Sequence, residues 1–187
     1  KLDFKKIPNV MGVLNLTPDS FSDGGKFNKR KLGLIHALNL FNFGADIIDV
    51  GGESTRPGST TITNKKEWAR IENTIKSISK KIPLSLDTRK SKIMKKGIKL
   101  GVKLINDVSG LNYDIETINV LKKSKIPFVI QHMQGTPKNM QNKPRYRNVL
   151  LDIYDFFEEK IKFLRMKGIR HNKIIIDPGV GFGKNLK

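Results

Sequence analysis

The 187 residues contain no cysteine, which removes a disulfide framework, a thiolate metal site and a cysteine nucleophile together. Acidic residues are few, 17 Asp and Glu against 36 Lys and Arg, leaving a net charge of +19. Long apolar runs are missing: none approaches the roughly 18 residues of a membrane span. The opening Lys1-Leu2-Asp3-Phe4-Lys5-Lys6 has no apolar signal-peptide core. A cytoplasmic protein with no membrane partner is expected. Basic blocks interleaved with aromatics are missing as well. Aromatics make up only 7% of the chain, and lysines such as Lys92, Lys95, Lys96 and Lys99 are spread through helical stretches rather than gathered. The charge excess therefore reads as overall composition, with some help in attracting an anionic substrate. Nucleic acid is not an expected partner.

What is present is an alternation of short aliphatic runs and longer amphipathic stretches, over a length that suits one domain, 1–187. Strands are predicted at Val10–Leu14, Asp46–Val50, Leu84–Asp87, Lys103–Asp107, Phe128–Gln131 and Lys173–Asp177. Helical spacing joins Leu34, Leu38 and Phe41, and again Phe157, Ile161 and Leu164, with Gly44 and Gly168 placed to stop those helices. Repeated strand–helix units imply a parallel sheet in an α/β fold. Polar residues decide between an open doubly wound sheet and a barrel. Asn15, Asp49, Asp87, Asn106-Asp107, Gln131-His132 and Asp177 each stand at or just beyond a strand's C-terminal end. Polar groups delivered to one rim by strand after strand suit a (β/α)8 TIM barrel, whereas an open sheet gathers its site at one switch point. The barrel is expected, lacking its last two strand–helix units, because such a fold takes about 250 residues.

Two loops draw attention. Asn15-Leu16-Thr17-Pro18-Asp19-Ser20-Phe21-Ser22-Asp23-Gly24-Gly25 has the composition of a polar turn, yet its length, Phe21 and the glycine pair also fit a substrate-covering loop. Gly51-Gly52-Glu53-Ser54-Thr55-Arg56-Pro57-Gly58-Ser59 is either an ordinary turn with a surface arginine or a site for an anionic ligand. Asp87 is either a helix cap or a site carboxylate. Asp177-Pro178-Gly179-Val180-Gly181-Phe182-Gly183-Lys184 is not a phosphate-binding P-loop: three residues, not four, separate Gly179 from Gly183, and Asn185 follows Lys184 where Ser or Thr is required. No histidine pair has zinc spacing, and only His132 is expected to face the site.

Together these segments resemble the dihydropteroate synthase family of pterin-binding enzymes. The resemblance rests on Met11 to Gly25, on Asp49 to Gly58, on Asp87-Thr88 and on Ile105-Asn106-Asp107. It continues through His132-Met133-Gln134-Gly135 with Pro137 and Met140-Gln141, and through Asp177 to Lys184, all in collinear order. It implies a barrel that condenses para-aminobenzoate with hydroxymethyl-dihydropterin diphosphate, giving dihydropteroate and diphosphate with Mg2+ as cofactor. By match to the family pattern, Asn15 is the implied Mg2+ ligand. Asp87, Asn106 and Asp177 would hydrogen-bond the pterin, Thr55 would contact substrate, and Met133 and Phe182 would be its apolar neighbours. Phe21, Arg56 and Pro57 are implied for the aminobenzoate loop, and Asn15, Asp87 and Asp177 as the catalytic set. A homodimer is compatible with the resemblance.

The chain departs from the family pattern at Leu86 and Arg89. It also lacks the family's Ser-Arg-Lys and Arg-Val-His segments, so these residues alone are expected to be inactive and poorly stable. Two other readings stand beside this one. A methyl-tetrahydrofolate methyltransferase domain would share the barrel and its pterin carboxylates but not the two complete loops. A non-catalytic basic binding protein would bind nucleic acid in a salt-dependent way.

Overall fold

The computed structural model describes residues 7–17, 26–56 and 58–185. Six strands, β1 (Met11–Asn15), β2 (Ile47–Gly51), β3 (Leu84–Asp87), β4 (Leu104–Asp107), β5 (Phe128–Gln131) and β6 (Ile174–Asp177), alternate with five helices. The helices are α1 (Lys26–Asn42), α2 (Asn64–Ile78), α3 (Ser91–Lys99), α4 (Glu116–Lys123) and α5 (Val149–Met166). Every strand pairs in parallel with its sequence neighbour, in the order β1-β2-β3-β4-β5-β6. Among the described residues no strand order reverses, so there is no switch point of the doubly wound kind.

Register sorts the side chains onto two faces, because cross-strand partners share a face and successive residues alternate. One face carries Leu14, Ile48, Val50, Leu84, Leu86, Ile105, Phe128 and Ile130, packed in one apolar core with helical residues that include Ala37, Ile71, Ile75, Ile93, Met94 and Leu121. Each such buried side chain contributes about 1.5–3 kcal/mol. The opposite face has a small apolar cluster of its own, Ile47, Leu104 and Val129 with Ile175 against it. These come from β2, β4, β5 and β6, so the sheet curls until non-adjacent strands share contacts. Helices cover one face and the other curls inward, which makes these six consecutive units of a (β/α)8 barrel. Burial falls away at the edge strands, where Val13 is 56% and Ile176 51% exposed.

The helices start and stop for local reasons. The Thr63 hydroxyl accepts from the Lys66 N–H at the start of α2, and Asn148 Oδ1 accepts from the Leu150 and Leu151 N–H groups at the start of α5. After α1 and α5, Gly44 and Gly168 take φ of 105° and 85°, the left-handed conformation that ends a helix. The buried stripe of α1 differs from the expected Leu34-Leu38-Phe41 set: Leu38 faces outward, while Gly33 and Ala37 are buried. A Cβ at Gly33 would come within 2.7 Å of Leu16 Cδ2. The helix approaches the sheet through small residues, which large-aliphatic spacing does not reveal.

Candidate active site

Polar side chains occupy the concave face of the barrel. Partners along one row are Asn15, Gly51, Asp87, Asn106, Val129 and Ile175. Val13, Asp49, Ser85 and Leu104 form the row toward the strand N-termini, and Gln131 pairs with Asp177 toward the C-termini. Gly51 leaves a gap in the middle row: a Cβ there would sit 3.1 Å from Asp87 Oδ2 and 3.3 Å from Asn15 Oδ1. Those two oxygens converge on the same space. Four buried atoms on this face have no hydrogen-bond partner among the described residues: Asp49 Oδ1, Ser85 Oγ, Asn106 Oδ1 and Gln131 Nε2. A packed interior pairs nearly all such atoms. Here they lie together on the concave face, as in a site built to receive a polar ligand.

The electrostatics follow from burial and crowding. Burial pushes the Asp87 carboxyl well above the usual carboxylate range, and the Asp49 and Asp107 charges push it further. Burial also raises Asp49, tempered by the nearby Ser85 hydroxyl and by the Asn106 amide, whose Nδ2 donates to Asp49 Oδ2 at 2.9 Å. Asp177 is half-buried, and its Oδ1 accepts from the Gly179 N–H at 2.8 Å. That bond folds the following loop back over the end of β5, where Lys184 Nζ donates to the carbonyls of Gly179 (2.8 Å) and Phe182 (3.0 Å). Gln141 Nε2 reaches across to the Gly181 carbonyl at 2.6 Å, joining the loops after β5 and β6.

The second loop is anchored by a different cluster. Glu53, Glu67 and Lys90 are buried, with Lys90 Nζ donating to Glu53 Oε1 (2.9 Å), Glu67 Oε2 (2.7 Å) and the Ile62 carbonyl (2.7 Å). Thr88 Oγ1 donates to Glu67 Oε1 at 2.5 Å. Arg89 Nε donates to Glu53 Oε2 at 3.0 Å, its NH2 group bonds Thr61, and its guanidinium lies 4.0 Å from the Tyr113 ring centre. Burial alone would raise Glu53, but the Ile62 N–H, Lys90 and Arg89 hold it below the usual range. Arg89, an oddity in the sequence pattern, is therefore part of the anchor.

Most of the expected site residues come together. Asn15, Asp87, Asn106 and Asp177 lie on the concave face, and Met133 and Phe182, both half-buried, lie in the loops beyond β5 and β6. Thr55 is half-buried and Arg56 exposed beyond the end of β2. Phe21 and Pro57 lie outside the described residues. Two expectations fail. Asp107 points outward by strand alternation, where its Oδ1 accepts from the Ser109 N–H (2.8 Å) and hydroxyl (2.6 Å). His132 does not face the polar rows either. Its ring meets Phe156 edge-on at 4.9 Å, and Nδ1 lies 3.1 Å from Lys184 Nζ. Asp49 and Gln131, expected among the polar strand-end residues but given no role there, do face the site, and Ser85 was not singled out. The signal for Asp49 was a carboxylate inside the aliphatic run Ile47-Ile48-Asp49-Val50.

The sequence profile of the family described as pterin binding enzyme matches residues 11–187. The chain belongs to this family. The pterin-binding relatives include the dihydropteroate synthase of Escherichia coli K12, 40% identical over 181 residues, a match covering 96% of this chain and 64% of that protein. A crystal structure of the Yersinia pestis dihydropteroate synthase with a sulfonamide drug superposes with a TM-score of 0.89 at 41% identity, covering 99% of this chain and 67% of that one. The Xanthomonas albilineans enzyme with 4-aminobenzoic acid gives 0.87 at 38% identity, covering 95% and 63%. The chain thus spans just under two thirds of the Escherichia coli protein.

The metal that such a pterin-binding site implies finds a fitting but sparse donor set. Among the described residues no three His, Cys, Asp or Glu side chains gather to hold an ion. Mg2+ does not need that, since it usually keeps several waters and takes one or two protein oxygens beside substrate phosphates. The Asn15 oxygen, exposed at the rim beside Asp87 Oδ2, suits that role. Among the described residues no helix is long and apolar enough to cross a membrane.

Proposed function

We propose that this chain carries the pterin site of a dihydropteroate synthase, which joins para-aminobenzoate to hydroxymethyl-dihydropterin diphosphate and releases diphosphate. The observation that carries this reading is the concave row of acceptors without donors, Asp87 and Asn106 Oδ1, with Asp177 on the strand beyond. A pterin's pyrimidine edge offers adjacent N–H donors, and a site with matching acceptors rejects rings that lack them. The relatives named dihydropteroate synthase, one of them holding 4-aminobenzoic acid, support the same assignment.

In this mechanism Asp177, Asn106 and Asp87 hold the pterin edge, and Met133 and Phe182 pack against the ring. Bond breaking takes the exocyclic C–O electron pair onto the diphosphate and leaves a cation delocalised over the electron-rich ring. Asp177 places negative charge beside that cation, and Asp87, whose ionisation burial opposes, is charged more readily once the cation forms beside it. The aminobenzoate nitrogen then attacks the exocyclic carbon with its lone pair and gives up a proton. Arg56, with Phe21 and Pro57, positions the aminobenzoate, and Thr55 contacts substrate from the same loop. Asn15 would hold Mg2+, whose charge makes diphosphate a better leaving group. The remaining work is positioning and exclusion of water.

Calorimetric titration with hydroxymethyl-dihydropterin diphosphate tests this reading. Asp177→Asn removes a charge-assisted acceptor and is expected to weaken binding by about 2–5 kcal/mol, some thirtyfold or more. No binding by the unaltered protein, or equal affinity in the variant, would sink the assignment.

A further inference from the structure

The Asn106 amide has two nearly isosteric ends, and which end faces the concave side decides whether residue 106 accepts or donates there. Its Nδ2 donates to Asp49 Oδ2 at 2.9 Å, and its Oδ1 is left buried without a partner. Turning the amide over would set oxygen against a carboxylate oxygen, so Asp49 selects one orientation. The bond also has an unusual path. Asp49 is on β2 and Asn106 on β4, and between them the β3 partner of Asp49 is Ser85, small and fully buried. A larger side chain at that position would stand in the way. Nothing in the apolar run Ile47-Ile48-Asp49-Val50 calls for a carboxylate, and besides the nearby Ser85 hydroxyl its side-chain partner is the Asn106 amide.

Resting on the pterin reading above, we propose that Asp49 is a positioning residue for specificity: it locks the Asn106 amide with its oxygen toward the ligand. The site then selects a heterocycle with a donor-rich 2-amino edge over one with a 2-oxo edge. Asp49 acts only through Asn106.

The test titrates the protein with 6-hydroxymethylpterin and with its 2-oxo analogue, 6-hydroxymethyllumazine, following ligand fluorescence. The unaltered protein is expected to prefer the amino compound. Asp49→Asn, which lets the Asn106 amide turn either way, should lower pterin affinity about tenfold or more and leave lumazine affinity nearly unchanged. The exchange Asp49→Asn with Asn106→Asp should restore most of the preference. In that pair the introduced amide donates to the introduced carboxylate, whose second oxygen still faces the ligand. Ser85→Val keeps both partners but obstructs their bond, and should reproduce the loss; it carries the test together with the exchange if Asp49→Asn does not fold. A thermal melt accompanies each variant. Equal losses for both ligands without recovery in the exchange would show a structural role and overturn the proposal. So would unchanged preference in Asp49→Asn and Ser85→Val, and in either case the pterin reading would survive. An unaltered protein that binds neither ligand would overturn that reading and this inference together.

Discussion

Two buried polar clusters, one on strands β2 to β4 and the other just past the ends of β2 and β3 with Glu67 of α2, are built on opposite principles. Beside the second loop, Glu53 and Glu67 face Lys90, Arg89, Thr88 and the Ile62 N–H, and every carboxylate oxygen has a donor. On the concave face, Asp49, Asp87 and Asn106 sit close together with one hydrogen bond between them and acceptors left over. Position along the chain separates the two: Asp87 ends β3 facing inward, whereas Thr88, Arg89 and Lys90 lie just past it and bond Glu53 and Glu67. Burial cost is met inside the protein in the first cluster, where Glu53 is held below its ordinary value. In the second cluster it is unmet, and Asp87 is pushed up. A protein that can pair its buried carboxylates so completely in one place leaves them open in another because a ligand completes them. The difference marks which cluster holds the loop and which one binds.

Breaking the paired cluster should have the largest effect on stability. Lys90→Met leaves Glu53 Oε1 and Glu67 Oε2 buried without their shared cation, and should cost about 3–5 kcal/mol in denaturant unfolding. Adding Glu67→Gln should recover part of that loss, because it removes one stranded charge. A Lys90→Met protein as stable as the unaltered one would show that the network does not hold the loop, and the contrast between the clusters would lose its meaning.

The barrel was legible where local pattern and tertiary role coincide. The predicted strands Leu84–Asp87 and Phe128–Gln131 match the observed ones residue for residue, because doubly covered strands are short and aliphatic throughout. The polar rim was legible because Asn15, Asp87, Asn106 and Asp177 interrupt apolar runs at their ends. Side-chain direction was less so. Asp107 follows Asn106 and shares its strand end, but a period of two sends it to the other face, and only the register reveals that. The pairing of Asp49 was hidden for the converse reason: the residue lies one row below the rim, and its partner is 57 residues away on a non-adjacent strand. The Lys90 network, spanning 37 residues to Glu53 and 23 to Glu67, leaves no local pattern.

Asp107 stands between the two regimes, with Oδ1 doubly bonded to Ser109 and Oδ2 without a donor. Burial raises it from 3.8 to about 6, against the pull of the Ser109 bonds. A folded-state value above the unfolded one favours folding fully below about pH 4, and that contribution is lost as pH rises through 6. Between pH 4 and pH 7 the unaltered protein should therefore lose about 3 kcal/mol relative to Asp107→Asn. Denaturant curves for both proteins across that range measure the gap. A gap independent of pH would place Asp107 with the fully paired cluster.

Asp87 sharpens the comparison most, because there stability and binding are expected to move in opposite directions. Asp87 accepts no side-chain hydrogen bond from any described residue, and its neighbours are the carboxylates of Asp49 and Asp107. Asp87→Asn thus removes repulsion and a buried charge while breaking no internal bond. Its raised folded-state value means that ionisation opposes folding as pH climbs above the ordinary carboxylate value near 4. The variant should match the unaltered protein within about 1 kcal/mol at pH 5 and gain on it toward pH 8. Pterin binding should nevertheless fall at least about thirtyfold, because an acceptor for the ring edge has gone. Melting curves at both pH values, set beside titrations with 6-hydroxymethylpterin, separate the two properties. Loss of stability with binding intact would mean that Asp87 belongs with Glu53 and Glu67 as framework. Retained stability with lost binding is the signature of a carboxylate kept unpaired for a ligand.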